Sequence, residues 1–245
     1  MTELTYDDAP FSIRADLAGA HRDAWRRLSS PGTWLSAETR VAIIAEVRNV
    51  DNCALCKARK DALSPYSVTG THDSLGDLPE NIVEVVHRVV SDPARLMKQW
   101  YDDCRASGLS EEEYVEIIAV VCSTVSIDTF CHGAGLPLRQ LPSPKPGAPT
   151  RIRPHNARQG EAWVPWIAAA DAEGDDIPRF GPPGSNVRRA LSLVPAEAHG
   201  FMEMNEAQYL NGVQMRDFST DYRAISRAQI ELVAGRVSAI NQCAY

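Results

Sequence analysis

Cys53 and Cys56, separated only by Ala54 and Leu55, are the pair of side chains in this sequence best suited to chemistry. A thiolate, not a thiol, attacks a peroxide oxygen or a disulfide sulfur. The two-residue gap lets one sulfur reach the other after oxidation, so a sulfenic acid on one can condense to a disulfide before it is oxidised further. The same spacing supplies two of the four ligands of a structural zinc site, the remaining two having to come from Cys131, His132 or another distant residue. No second pair stands at finger spacing. A third reading is two inert thiols packed in a core. Six cysteines in 245 residues do not make a disulfide-dense secreted scaffold, which turns the pair toward redox or metal chemistry. Cys104, Cys122 and Cys131 fall in helical patterns, where cysteine behaves as a small apolar residue.

Redox use of the pair requires something that lowers a thiol pKa, and a helix N-terminus does so through its free N–H groups and dipole. Ser36 opens a helix with Ile43, Val47 and Val50 on one face, and Asp51-Asn52 are then expected to cap a further helix from about Cys53 to Leu63. The cysteines thus sit in a first turn, solvent-reachable and close enough to bond, with Lys57 and Lys60 adding positive charge nearby. Before this, Leu17, His21, Trp25 and Leu28 recur at helical spacing until Pro31-Gly32. After it, Ile82, Val85, Val86 and Val89 form a stripe over 80–91, and Pro93 fits the first turn of a helix reaching Ala106. Ser110-x-x-Glu113 is a capping-box pattern for a long helix with Tyr114, Ile117, Ile118, Val121 and Val125, closed by Gly133 and Gly135. Ten of the 16 prolines lie between 137 and 184, which predicts a strap over the surface anchored by Trp163 and Trp166. Helices are expected over 186–194 and 196–210, and Ser226-x-x-Gln229 opens a last one with Ile230, Val233, Val237 and Ile240 inward. No strand alternation occurs, so the fold is expected to be all-α.

Near the C-terminus the cysteine segment recurs. At a constant offset of 190, Ser36 falls on Ser226, Val47 on Val237, Cys53 on Cys243 and Ala54 on Ala244, while the partner of Cys56 would follow Tyr245. Two related helical halves are therefore expected: 1–136 with the Cys-x-x-Cys, a Pro-rich strap over 137–184, and an incomplete half over 185–245. A net charge of -7, a pI near 5.4 and scattered basic residues give no reason to expect nucleic acid or an anionic membrane as partner. The acidic N-terminus does not resemble a signal peptide and no run approaches the roughly 20 apolar residues of a membrane span, so the expected setting is cytoplasmic.

Taken together, the paired cysteines and the repeat resemble the alkyl hydroperoxidase D-like, carboxymuconolactone decarboxylase-like family. Its pattern is a helix carrying a glutamate, then Cys-x-x-Cys, then a histidine four residues on. In the C-terminal copy Glu231 stands twelve residues before Cys243, at the family spacing. In the N-terminal copy Cys53 and Cys56 match, but Val41 holds the glutamate position and Lys60 the histidine position. The resemblance implies an all-helical homo-oligomer that reduces hydroperoxides, with Cys56 attacking and Cys53 resolving. It requires no metal or organic cofactor, and a thiol reductant such as a lipoyl or thioredoxin-like protein.

Peroxide cleavage needs a base for the thiol and an acid for the leaving oxygen. In place of the missing family residues the sequence offers Glu46, two helical turns before Cys53, His72 in the following loop, and Lys60 as a cation. His87 lies in line with Val83 and Val90 and reads as a core histidine, and Glu116 reads as a solvated helix residue. The expected site is thus Cys56, Cys53, Lys60, Glu46 and His72, with Glu231 and Cys243 as an incomplete second one. Alternatives are a lyase or isomerase of the decarboxylase branch, and a non-catalytic helical module whose cysteines pack or bind zinc. The sequence given ends where the second Cys-x-x-Cys would place its reactive residue, a position suited to selenocysteine. The nucleotide sequence after Tyr245 is then expected to show UGA followed by a continuing frame; any other stop codon contradicts this.

Overall fold

Eleven α-helices and no strand occupy the described residues, 3–181 and 186–240 of this computed structural model, so the fold is all-α. Cys243 lies outside them. The first six helices are α1 (Ala15–Leu28), α2 (Ala37–Asn49), α3 (Ala54–Asp61), α4 (Glu80–Ser91), α5 (Lys98–Ala106) and α6 (Glu111–Gly133). Local capping sets their starts. The Ser36 hydroxyl accepts the Thr39 N–H at 3.2 Å, and Ser110 and Glu113 form the reciprocal capping box the sequence predicted. Pro93 does not begin α5; it opens a separate 3₁₀ turn, Pro93–Arg95.

α2, α4 and α6 pack on one another and bury the centre of the molecule. Ile43 and Ile44 of α2, Val85 and Val86 of α4, and Ile117 and Val120 of α6 are all inaccessible to solvent. By length and composition α6 would suffice to cross a membrane, which the sequence reading did not anticipate, but 67% of its apolar window is buried inside this bundle. It also carries Glu116, which is buried rather than solvated.

Glu116 belongs to an ion network across the bundle. Arg40 of α2 donates to Glu116 at 2.6 Å and to Glu197 at 2.7 Å, and Arg27 of α1 also pairs with Glu197. Glu116 accepts in addition from the Trp34 backbone N–H at 2.7 Å. The turn before α2 approaches this carboxylate so closely that a Cβ at position 32 would overlap it, which is why Gly32 stands there.

Short helices α7 (Ile177–Phe180) and α8 (Asn186–Arg189) lead to α9 (Pro195–Gln208), the helix that bears Glu197 and packs on α1 and α6. α10 (Gly212–Arg216) and α11 (Arg227–Ile240) follow. Between α6 and α7 the proline-rich segment runs without α-helix along the surface, pinned by backbone bonds from Lys145 to Ser29 and from Arg151 to Thr33, both 2.8 Å. Its deep anchor is Ile167, fully buried, whereas Trp163 is 37% exposed. On α11 only Ile230 is buried; Val233, Val237 and Ile240 are exposed, contrary to the expected inward face. The apolar spacing is there, but no described helix packs on it.

Removing one member of a buried ion pair strands its partner's charge and typically costs about 3–5 kcal/mol. Arg40→Met should therefore destabilise the fold by about that amount, read as a lower urea midpoint at unchanged slope, because Glu116 loses its cation. An unchanged midpoint would show that the network does not hold the helices together.

Candidate active site

Cys53 itself is the N-cap of α3. Its extended backbone (φ -71, ψ 118) turns the sulfur back to accept the Cys56 N–H at 3.5 Å. Asp51-Asn52, expected to cap this helix, instead lie in a 3₁₀ turn, Val50–Asn52, that delivers the chain from α2. The Ala54 N–H, another free donor of the first turn, goes to the Asp73 carboxylate at 2.7 Å. At the far end Arg95 donates to the carbonyls of Ala62, Arg59 and Lys60 at 2.8–3.1 Å, supplying the unmet acceptors of the last turn.

Two histidines meet the sulfurs. His87 and Glu84 are three residues apart on α4 and share a face, while His72 arrives from the α3–α4 loop. That loop is held by Asn49 donating to the Asp73 carbonyl at 2.7 Å and by the Leu75 N–H donating to Glu46 at 3.0 Å. The Nδ1 atom of His72 lies 3.4 Å from Cys53 Sγ and 3.5 Å from Cys56 Sγ, and that of His87 lies 3.2 Å from Cys56 Sγ. The four side-chain atoms are all within 4.8 Å of one another.

Each imidazole is fixed from behind. His87 Nε2 is 2.8 Å from Glu46 of α2, and His72 Nε2 is 2.8 Å from Glu84. Glu46 is fully buried and also accepts from Asn49 at 3.1 Å; Glu84 accepts from Trp100 at 3.0 Å and Arg59 at 3.0 Å. A carboxylate facing Nε2 accepts the proton held there, which leaves Nδ1 of each ring facing sulfur, able to take a proton from a thiol or to donate one to a thiolate.

The charges respond to this arrangement. Burial would push the Cys56 thiol up, but hydrogen bonds from His72, His87 and Ser91 outweigh it and hold the thiol at about 6. Cys53 is also lowered: its burial works the other way, and the N–H of Cys56 and the His72 ring prevail. Burial opposes charge on His72, yet its bonds to Cys56 and Glu84 raise it to about 10; His87, likewise opposed by burial, moves up through its bonds to Cys56 and Glu46. Glu84 is drawn down to about 2, its desolvation more than offset by His72 and Arg59. By contrast Cys104, pushed up by burial and by the nearby Glu84 and Asp103 against a smaller pull from Arg88, rises to about 12, and burial alone raises Cys122 to about 11.

Neither sulfur of the pair is open to solvent, contrary to the sequence expectation: Cys53 is 0% and Cys56 3% exposed. His72 and Glu84 stand between them and a cleft of about 800 Å³, whose walls include Arg59, Tyr66, Arg88 and Trp100. Of the residues expected at the site, Cys53, Cys56, Glu46 and His72 come together. Lys60 does not join them; it is exposed, and the cation beside Glu84 is Arg59. Glu231, exposed on α11, pairs with Arg227 and accepts from Tyr209, and Cys243 falls outside the described residues.

His87 and Glu84 were missed. The alignment of His87 with Val83 and Val90 correctly indicated burial, and the signal overlooked was Glu84 one turn earlier, which makes that face of α4 ionisable as well as apolar. The group of side chains around the pair that could hold a metal ion contains His72 and His87, and neither Cys131 nor His132. Compared with protein-family models, curated proteins and solved structures, the chain matches none.

In a Cys53→Ser background with a metal chelator present, the alkylation rate of Cys56 should rise with pH through a midpoint of about 6 and level off by about pH 8. The thiolate is the reacting species, so protonation below that midpoint suppresses the rate. His87→Ala should move the midpoint upward. A Cys53→Ser midpoint near the ordinary thiol value of about 8.5, with His87 in place, would refute the assigned environment.

Proposed function

We propose that this protein is a thiol-dependent peroxidase or disulfide oxidoreductase working through the Cys53–Cys56 dithiol. One observation carries the reading: Cys56 Sγ lies against the Nδ1 atoms of two imidazoles, each oriented by a carboxylate on its other nitrogen. This is a nucleophile, base and orienting acid arranged in line, twice over. It also fits the resemblance to the alkyl hydroperoxidase D-like family, since His87 with Glu46 provides the relay that Val41 and Lys60 leave missing.

In the reaction so inferred, an Nδ1 atom takes the Cys56 proton and the thiolate attacks the outer oxygen of a hydroperoxide. The S–O bond forms as O–O breaks, and the departing alkoxide takes a proton from the imidazolium, giving an alcohol and a sulfenic acid. Cys53, bonded to the Cys56 N–H and facing His72, then attacks the Cys56 sulfur; the disulfide forms and water leaves. Two electrons from an external dithiol, of lipoyl or thioredoxin type, restore the pair. Substrate reaches Cys56 from the cleft by displacement of His72, whose side chain is 7% exposed at the wall.

The burial of both sulfurs favours a second reading, a non-catalytic helical module stabilised by this polar cluster. Peroxide consumption with a dithiol reductant separates the two. The redox reading expects turnover by wild type, loss of about 100-fold or more in Cys56→Ser, and in Cys53→Ser a single oxidation to sulfenic acid without turnover. Wild-type rates in both variants, or no consumption by the wild type, would leave the module reading in place.

A further inference from the structure

We infer that the reduced site is also a metal centre, in which Cys53 Sγ, Cys56 Sγ, His72 Nδ1 and His87 Nδ1 bind one thiolate-preferring divalent ion such as Zn²⁺, and that closing the disulfide expels it. The binding half stands on geometry alone; the expulsion half rests on the redox reading above.

Zinc bonds of about 2.3 Å to sulfur and about 2.0–2.1 Å to nitrogen, at tetrahedral angles, put neighbouring S and N ligands about 3.5 Å apart. Three of the four sulfur–nitrogen separations are 3.4, 3.5 and 3.2 Å, and every pair among the four atoms is within 4.8 Å. Four atoms able to act as ligands once deprotonated are thus gathered within ligand-to-ligand distance. Thiol protons satisfy at most two of them, whereas a central cation satisfies all four at once. Two thiolates also neutralise a divalent charge, so the loaded site adds no net charge to the interior.

The surroundings match as well. Metal-bound histidines characteristically donate their other N–H to a carboxylate, which fixes the ring and strengthens the ligand. Glu84 and Glu46 accept such bonds at 2.8 Å from His72 and His87. The Cys56 N–H bond to Cys53 Sγ supports a sulfur that bears charge. Burial of both sulfurs, awkward for a free nucleophile, is ordinary for a closed tetrahedral centre.

Metal and disulfide exclude each other, because the electron pairs that bind the ion are those consumed in the S–S bond. A hydroperoxide supplies the oxidation: two thiolates give up two electrons and join, the O–O bond breaks, two protons are taken up, and the products are disulfide, alcohol, water and the free ion. The bound ion holds the dithiol reduced until oxidant arrives.

The test uses the full chain, reduced and stripped of metal. Cobalt(II) titration should saturate at one ion per chain, with the sulfur-to-cobalt charge-transfer and intense visible bands of a tetrahedral thiolate site, and Zn²⁺ should displace it. Glu84→Gln should weaken zinc affinity about 10–100-fold, measured by chelator competition, and Cys53→Ser should abolish the charge-transfer band's full intensity. One equivalent of hydroperoxide should then release one zinc per disulfide formed. Failure of the wild type to take up either metal, or octahedral cobalt spectra, overturns the metal centre even if peroxide is consumed. Tight uptake with zinc retained and thiols still reduced after peroxide overturns the expulsion step and leaves the metal centre standing; the redox reading falls with it only when the metal-free chain also consumes no peroxide.

Discussion

A charge removed from water must find its partners inside the protein, and α2 carries two such charges with no exposure at all, Arg40 and Glu46. They lie six residues apart and are answered from opposite directions. Arg40 draws Glu116 from α6 and Glu197 from α9, while Glu46 draws His87 from α4 and the Leu75 N–H from the loop that carries His72. Sliding or rotating α2 would break both sets together. Hydrophobic contact among α2, α4 and α6 provides most of the burial, but it is directionless. The two buried ions set the register, and through Glu46 that register reaches the cysteines.

From this follows the character of the site. α3 is only eight residues long and would be marginal alone, yet its first turn is held by Cys53 and Asp73 and its last by Arg95. The sulfurs are therefore presented by a short helix fixed at both ends, opposite a histidine on a rigid helix and another on a pinned loop. One imidazole belongs to the core and the other forms the wall of the cleft. That asymmetry suits a centre in which His87 keeps its place while His72 admits a reactant or helps release an ion.

The redox chemistry and the metal binding proposed above would draw on the same property. Both need deprotonated sulfur, and both are favoured by imidazoles whose outer nitrogens are anchored to carboxylates. The high positions of Cys104 and Cys122 show the contrast: burial that no facing imidazole offsets keeps a thiol protonated. What distinguishes Cys56 is its neighbours.

The sequence by itself determined the all-α class and the limits of α2, α4 and α6, because capping residues and 3.6-residue periodicity act locally. It also singled out Cys53, Cys56, Glu46 and His72 by residue type. Only the tertiary structure decided that Arg59 rather than Lys60 is the nearby cation, that His87 belongs to the site, and that Glu116 is a buried ion instead of a solvated one. It also left Val233, Val237 and Ile240 exposed despite their helical spacing. Periodicity tells which face of a helix is apolar, but not which element covers it or which distant polar group arrives there. Those outcomes depend on contacts between segments tens of residues apart, such as Glu46 with His87 and Arg40 with Glu197, which no local pattern encodes.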